Sequence, residues 1–215
     1  MRSPNYSVRN HAIDRVTIHC LAGQLTAEEA LSLPAWTDTV PERQRASCNW
    51  IVGKDGSVAC LVPEEYRSWC SSNRDNDMRA ITIEVASSKT GDYVTPAAMA
   101  ALDHLVTDIM RRYGKRRLLW LKSREATDAH NAAKDEMLLS VHRWYANKTC
   151  PGPVLEAHLD DIAHEYLDPS PSEWAAQAMA WATTAGITDG TRPREKATRE
   201  EVIAMLYRYE RRTKE

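Results

Sequence analysis

No stretch of the 215-residue sequence is apolar over the roughly 20 residues that cross a bilayer as a helix, which excludes membrane insertion by that route. The opening residues, MRSPNYSVRNHA, hold no apolar core of a secretory signal. The expectation is synthesis in the cytoplasm without export by the ordinary route. There is no CxxC pair, and the five cysteines (Cys20, Cys48, Cys60, Cys70, Cys150) are odd in number. That argues against a disulfide framework and leaves at least one thiol free for other work. Charge of neither sign dominates, the formal net charge being -2, so nothing calls for a nucleic-acid partner or an anionic membrane surface. The basic run RRYGKRR (111–117) reads as a solvated helix end, because cations favour helix C-termini.

What is present is ordinary for a globular chain, with 43% hydrophobic and 27% charged residues, at a length that suits one medium domain with a small appendage. In DRVTIHC (14–20), Val16, Ile18 and Cys20 alternate with Arg15, Thr17 and His19, the pattern of a half-buried strand. SCNWIVGKDGSVACLV (47–62) reads as a hairpin around Asp-Gly. RAITIEVA (79–86) alternates again, so that His19 and Glu84 share the polar phase of two strands. The spacing predicts a helix over 95–114, opened by Pro96 and stopped by Gly114, and another with Leu155, Leu159, Ile162 and Tyr166 on one stripe. Together these elements predict an α/β fold, a central mixed β-sheet flanked by helices.

In VHRWYANKTCPGP (141–153), His142 precedes Cys150 by eight residues, with Lys148 between them. Zinc takes imidazole nitrogen and thiolate sulfur, and a catalytic site uses three protein ligands to keep a fourth position open. His19, on the polar face of its strand, offers a third ligand. By spacing alone the alternative stays open, that of a loop holding a buried cysteine as a small hydrophobe.

VTIHC (16–20), SCNWIVGKDGSV (47–58), RAITIEVA (79–86) and VHRWYANKTCPG (141–152) resemble, in order and separation, the motif blocks of the zinc-dependent N-acetylmuramoyl-L-alanine amidases, which include phage endolysins and peptidoglycan-recognition proteins. The resemblance implies Zn2+ held by His19, His142 and Cys150, with Lys148 stabilising the oxyanion and Glu84 beside the reacting water. It implies bacterial peptidoglycan as substrate, cut at the amide between N-acetylmuramic acid and L-alanine. One departure is Cys48, where many members carry a tyrosine that polarises the scissile carbonyl. Asn49 and Trp69 are candidate substrate-binding residues, Trp69 with the core as its alternative; Trp36 and Trp144 are weaker candidates.

At LDPSPSEW (167–174) the composition changes to that of a linker. The expected division is a catalytic domain over 1–167, a linker over 168–171 and a small helical domain over 172–215. The tail predicts two helices, the second opened by a capping box of Thr198 and Glu201, and at this length it can bury little core alone. Residues 174–208 resemble an S-layer homology motif, with a shortened loop and without the usual aromatic; the sequence has no phenylalanine at all. That resemblance implies Thr198, Arg199 and Glu200 as binders of secondary cell-wall polymer, while self-association into a homo-oligomer is the competing reading. The expected function is that of an endolysin, acting on the wall once the membrane is opened. The alternatives are a non-catalytic recognition module, a bacterial autolysin and a cytoplasmic amidase that recycles wall fragments.

Overall fold

In chain order the first unit begins with β1 (Tyr6–Val8), β2 (Arg15–Ala22), α1 (Ala27–Leu31), β3 (Trp50–Val52), β4 (Val58–Cys60) and β5 (Tyr66–Ser68). It continues with α2 (Arg74–Arg79), β6 (Ala80–Ser87), α3 (Pro96–Arg112), β7 (Arg117–Leu119), α4 (Arg124–Ala129), β8 (Glu136–Val141) and α5 (Pro153–Ile162). The computed structural model describes residues 3–163, 171–190 and 197–212. The chain divides into two compact units, Met1–Glu165 and Tyr166–Glu215. Most of the expected linker, and Tyr166 of the expected helical stripe, lie outside the described residues.

Six strands form a mixed sheet in the order β4-β3-β6-β2-β8-β7. Every neighbouring pair is parallel except the β3–β4 hairpin, where Gly56 at φ +82 supplies the turn. β1 and β5 form a separate antiparallel pair. Helix α3 starts as its sequence predicts: the Thr95 side chain accepts from the Ala98 N–H, Pro96 takes the first turn, and Leu102, Leu105, Val106 and Ile109 are buried. Gly114, at φ +62, follows its end.

β2 is not half-buried. Arg15 to His19 are all buried, because β2 lies in the middle of a parallel sheet whose two faces are both covered. Neighbours rather than water meet part of its polar phase, while Arg15 Nε and Nη2 and His19 Nε2 are buried without a partner. Thr17 Oγ1 lies 2.8 Å from Ser140 Oγ and accepts from Asn76 Nδ2 at 3.0 Å, while Arg15 Nη1 donates to Asn76, Asp128 and Tyr145. Asn76 belongs to α2 and Asp128 to α4, so both short helices lie on this polar face. The stretch 66–77 supplies β5 and opens α2. Asn73 caps that helix by accepting from the Asn76 N–H at 2.9 Å.

The second unit holds α6 (Glu173–Thr184) and α7 (Arg199–Arg212). Thr198 Oγ1 accepts from the Glu201 N–H at 3.1 Å while Glu201 Oε2 accepts from the Thr198 N–H at 2.7 Å, the expected capping box. Neither helix buries a residue; they meet through Trp181 against Tyr209 and through the Arg208 bond to the Ile187 carbonyl. Residues 191–196, part of the stretch that resembles an S-layer motif, lie outside the described residues.

Candidate active site

β2 and β6 carry site residues in their carboxyl halves and β8 ends one residue before another, on the side at which open α/β sheets place their chemistry. In the β2–β6 register His19 lies directly opposite Glu84. On the other side Ile18 pairs with Val141, the last residue of β8, so the next residue of each strand is a histidine. The rings of His19 and His142 have centroids 4.8 Å apart. The loop that follows returns Cys150 to the same place: the Arg143 N–H bonds the Cys150 carbonyl at 2.9 Å, and the Cys20 N–H donates to Cys150 Sγ at 3.2 Å. Cys150 Sγ is 3.7 Å from His19 Nδ1. One ligand atom from each of His19, His142 and Cys150 lies within 4.8 Å of the other two, an arrangement that can hold a metal ion.

Two glycines allow the loop to come this close. Gly152, at φ +84, meets Gly91, at φ +72, so nearly that a Cβ on Gly152 would stand 2.6 Å from the Gly91 Cα. Any side chain at either position pushes the Cys150 loop away from the turn after β6.

Burial sets the charges. His19 is fully buried, and desolvation, aided by His142, holds it well below the usual imidazole range. Desolvation, then the Lys148 charge, lowers His142 to about 4. Both rings are therefore neutral near pH 7, the form that ligates metals. Each keeps a buried Nε2 without a hydrogen-bond partner. Burial pushes the Glu84 carboxyl up to about 8, with Cys20 adding to the rise and the Cys70 thiol opposing it. Cys70 Sγ lies 3.6 Å from Glu84 Oε1, and Oε2 is buried without a partner. The hydrogen bond between the Cys20 and Cys150 sulfurs lowers Cys20 to about 7 and raises Cys150.

The remaining sequence candidates divide. Lys148 is exposed on the loop between the two ligand-type residues, near enough for its charge to act on His142. Asn49 cannot bind substrate as expected. It is 0% exposed, its Nδ2 donates to the Val62, Pro63 and Tyr66 carbonyls, and its Oδ1 accepts from Thr82 and Arg9. It is a structural clamp between the hairpin and β6. Trp69 is half-buried, with Arg67 over its ring. Trp36 is in the core, its Nε1 bonded to the Ala30 carbonyl. Cys48 is fully buried in the apolar cluster with Ile51, Leu61 and Val62, and burial, then Glu84, raises its thiol. Thr198, Arg199 and Glu200 are exposed at the start of α7 in the second unit.

Three side chains escaped the sequence reading. Cys70 and Trp120 stand in stretches with no periodic signal of their own, and Cys20 falls in the apolar phase of its strand, which gives no sign of a place in the site. Trp120 stacks on Trp144 with centroids 4.9 Å apart and planes 5° from parallel, at the start of the His142 loop.

A parallel-centred α/β sheet gathers here two neutral imidazoles, a thiol and a buried carboxylate, a donor set that can hold a metal ion. Residues 9–153 match the model of the N-acetylmuramoyl-L-alanine amidase family, and the chain belongs to that family. The fold is similar to the crystal structure of a selenomethionine AmpD derivative, at 18% identity and a TM-score of 0.52 over 75% of this chain and 91% of that one. It also aligns with the Ph2119 endolysin from Thermus scotoductus MAT2119 bacteriophage Ph2119, at 17% identity, covering 74% and 90% of the two chains with a TM-score of 0.46. The amidase LysC from Clostridium intestinale URNW aligns at 18% identity over 70% and 86%, with a TM-score of 0.45. No curated protein matches the chain.

Proposed function

We propose that the protein is a zinc-dependent peptidoglycan amidase that cleaves the bond between N-acetylmuramic acid and the L-alanine of the stem peptide. The observation that carries this reading is the meeting of His19, His142 and Cys150 within 4.8 Å, next to the buried carboxyl of Glu84. The donor set fits zinc. With Zn–N of about 2.1 Å and Zn–S of about 2.3 Å, a tetrahedral site separates nitrogen from sulfur by about 3.6 Å, and His19 Nδ1 lies 3.7 Å from Cys150 Sγ. Both imidazoles are neutral, and the Cys20 N–H stands ready to donate to a thiolate at Cys150.

When bound, zinc supplies Lewis acidity, which lowers the pKa of water towards neutrality and draws charge from the scissile carbonyl. Glu84 receives the proton from the attacking water and returns it to the leaving amine. Its position in low dielectric suits both steps: burial, with Cys20 adding to the rise, holds the carboxyl near 8, and a dication nearby favours the carboxylate. Lys148 brings a positive charge to the developing oxyanion. The Trp120–Trp144 stack offers an aromatic face beside the loop for sugar or peptide. Cys48, buried in the core, does not do the tyrosine's work.

In this reading the protein acts as an endolysin, reaching the wall after the membrane is breached. The second unit binds secondary cell-wall polymer through Thr198, Arg199 and Glu200, or joins copies of the chain. The test is to incubate purified peptidoglycan with the zinc-loaded protein and with its Glu84→Ala and Cys150→Ser forms, and to measure new L-alanine amino termini. Release by the parent alone is expected. No release by the parent would sink the enzyme, leaving a recognition module, and new reducing sugar ends would mean a glycosidase.

A further inference from the structure

His19 belongs to a second ligand set. One ligand atom from each of His19, Cys70 and Glu84 lies within 4.8 Å of the other two. Cys70 is 8% exposed, and its sulfur meets Glu84 Oε1 at 3.6 Å. Two atoms of this set are buried and have no partner: Glu84 Oε2 and His19 Nε2. A buried polar atom without a partner is costly, and a cation satisfies several at once.

We propose that the pocket has a second cation-binding mode, in which a thiophilic divalent ion of the zinc or cadmium type is held by Cys70, Glu84 and His19. Imidazole, thiolate and carboxylate together select borderline-soft metals over magnesium or calcium. On binding, Cys70 gives up its thiol proton to solvent and its sulfur becomes a ligand. The proposal rests on the reading of Glu84 as the proton carrier for its consequence: an ion in this mode occupies that carboxylate and stops proton transfer. Because His19 is common to both sets, the two modes compete for it, and excess thiophilic metal becomes an inhibitor acting from within the site.

The test needs no substrate, so its failure is distinguishable from a failure of the amidase reading. Metal-free full-length protein is titrated with cadmium, following the sulfur-to-cadmium charge-transfer absorption, with bound ions counted by native mass spectrometry. The Cys150→Ala chain is expected to keep a cadmium band, and the Cys70→Ser/Cys150→Ala chain to lose it. Cys70→Ser keeps the size and the hydrogen bond of the thiol, and circular dichroism checks that each variant is folded. A Cys150→Ala chain without any band, or a double variant that retains it through Cys20 or Cys48, overturns the proposal.

Discussion

Glu84 occupies the place in the molecule where a carboxyl group loses most by ionising: it is walled by cysteines, one oxygen is unpaired, and burial holds it near pH 8. Glu84→Gln keeps the shape and removes the proton carrier. Amide hydrolysis is expected to fall by about 10²–10⁴-fold, while zinc content, measured by atomic emission, stays near that of the parent; loss of zinc as well would make Glu84 a ligand instead. Asn49 carries the opposite expectation. Asn49→Ala leaves several buried groups unpaired and is expected to cost about 3 kcal/mol of stability, read from the denaturant midpoint. Asp77 provides the pH test, since it is buried and accepts from the Cys70 and Ser71 N–H groups. Burial raises it from an ordinary 3.8 to about 6. The folded chain therefore binds this proton more tightly than the unfolded one, so the contribution is full below about pH 4 and is lost as pH rises through 6. The stability difference between parent and Asp77→Asn, followed by thermal unfolding from pH 4 to pH 7, should shift against the parent as pH increases; a flat difference would remove Asp77 from this role. The phase shared by His19 and Glu84 was legible in the sequence because period-two alternation fixes which residues share a face. The fate of Asn49 was not, because alternation tells which face a polar residue takes and nothing of what covers that face.

At the scale of elements, the longer strands and helices announced themselves, and the short ones did not. β2, β6, the hairpin and α3 carry alternation, an Asp-Gly turn, or a cap and a stop, each readable within a dozen residues. β8 (EMLLSV) is buried at every position, so it has no alternation to read, and α2 and α4 are six residues each, too short to show a helical period. Yet those elements complete the site. α2 and α4 cover the polar face of β2 through Asn76 and Asp128, and β8 delivers His142. The return of Cys150 depends on contact between two loops far apart in sequence, Gly91 against Gly152, which no local pattern encodes. Gly152→Ala introduces a Cβ into that contact at a positive φ, so a cost above about 1 kcal/mol is expected, together with weaker zinc retention against a chromogenic chelator. Unchanged stability and unchanged retention would show that the loop finds its place without this contact.

For the whole molecule, the division matters more than the sum. Residues 9–153, which match the amidase family, lie inside the first unit, and every residue assigned to the chemistry lies there too. α6 and α7 bury nothing of their own, leaving Trp174 at 89% and Ile203 at 66% exposure. Apolar surface of this kind on a short helical pair fits the association role proposed for the tail, a role distinct from the reaction. The sequence made the two helices and the capping box of α7 readable through local spacing, but their partner was not, since an amphipathic pattern does not name what it faces. Deleting residues 168–215 is therefore expected to leave cleavage of small soluble muropeptides close to that of the full chain, and to lower sedimentation with intact cell walls. Light scattering on both forms divides the two roles of the tail. An oligomer that becomes a monomer on deletion assigns it to self-association, whereas a monomer throughout, with wall binding lost, assigns it to polymer recognition. Loss of soluble-substrate cleavage along with the tail would show instead that the reaction depends on the second unit.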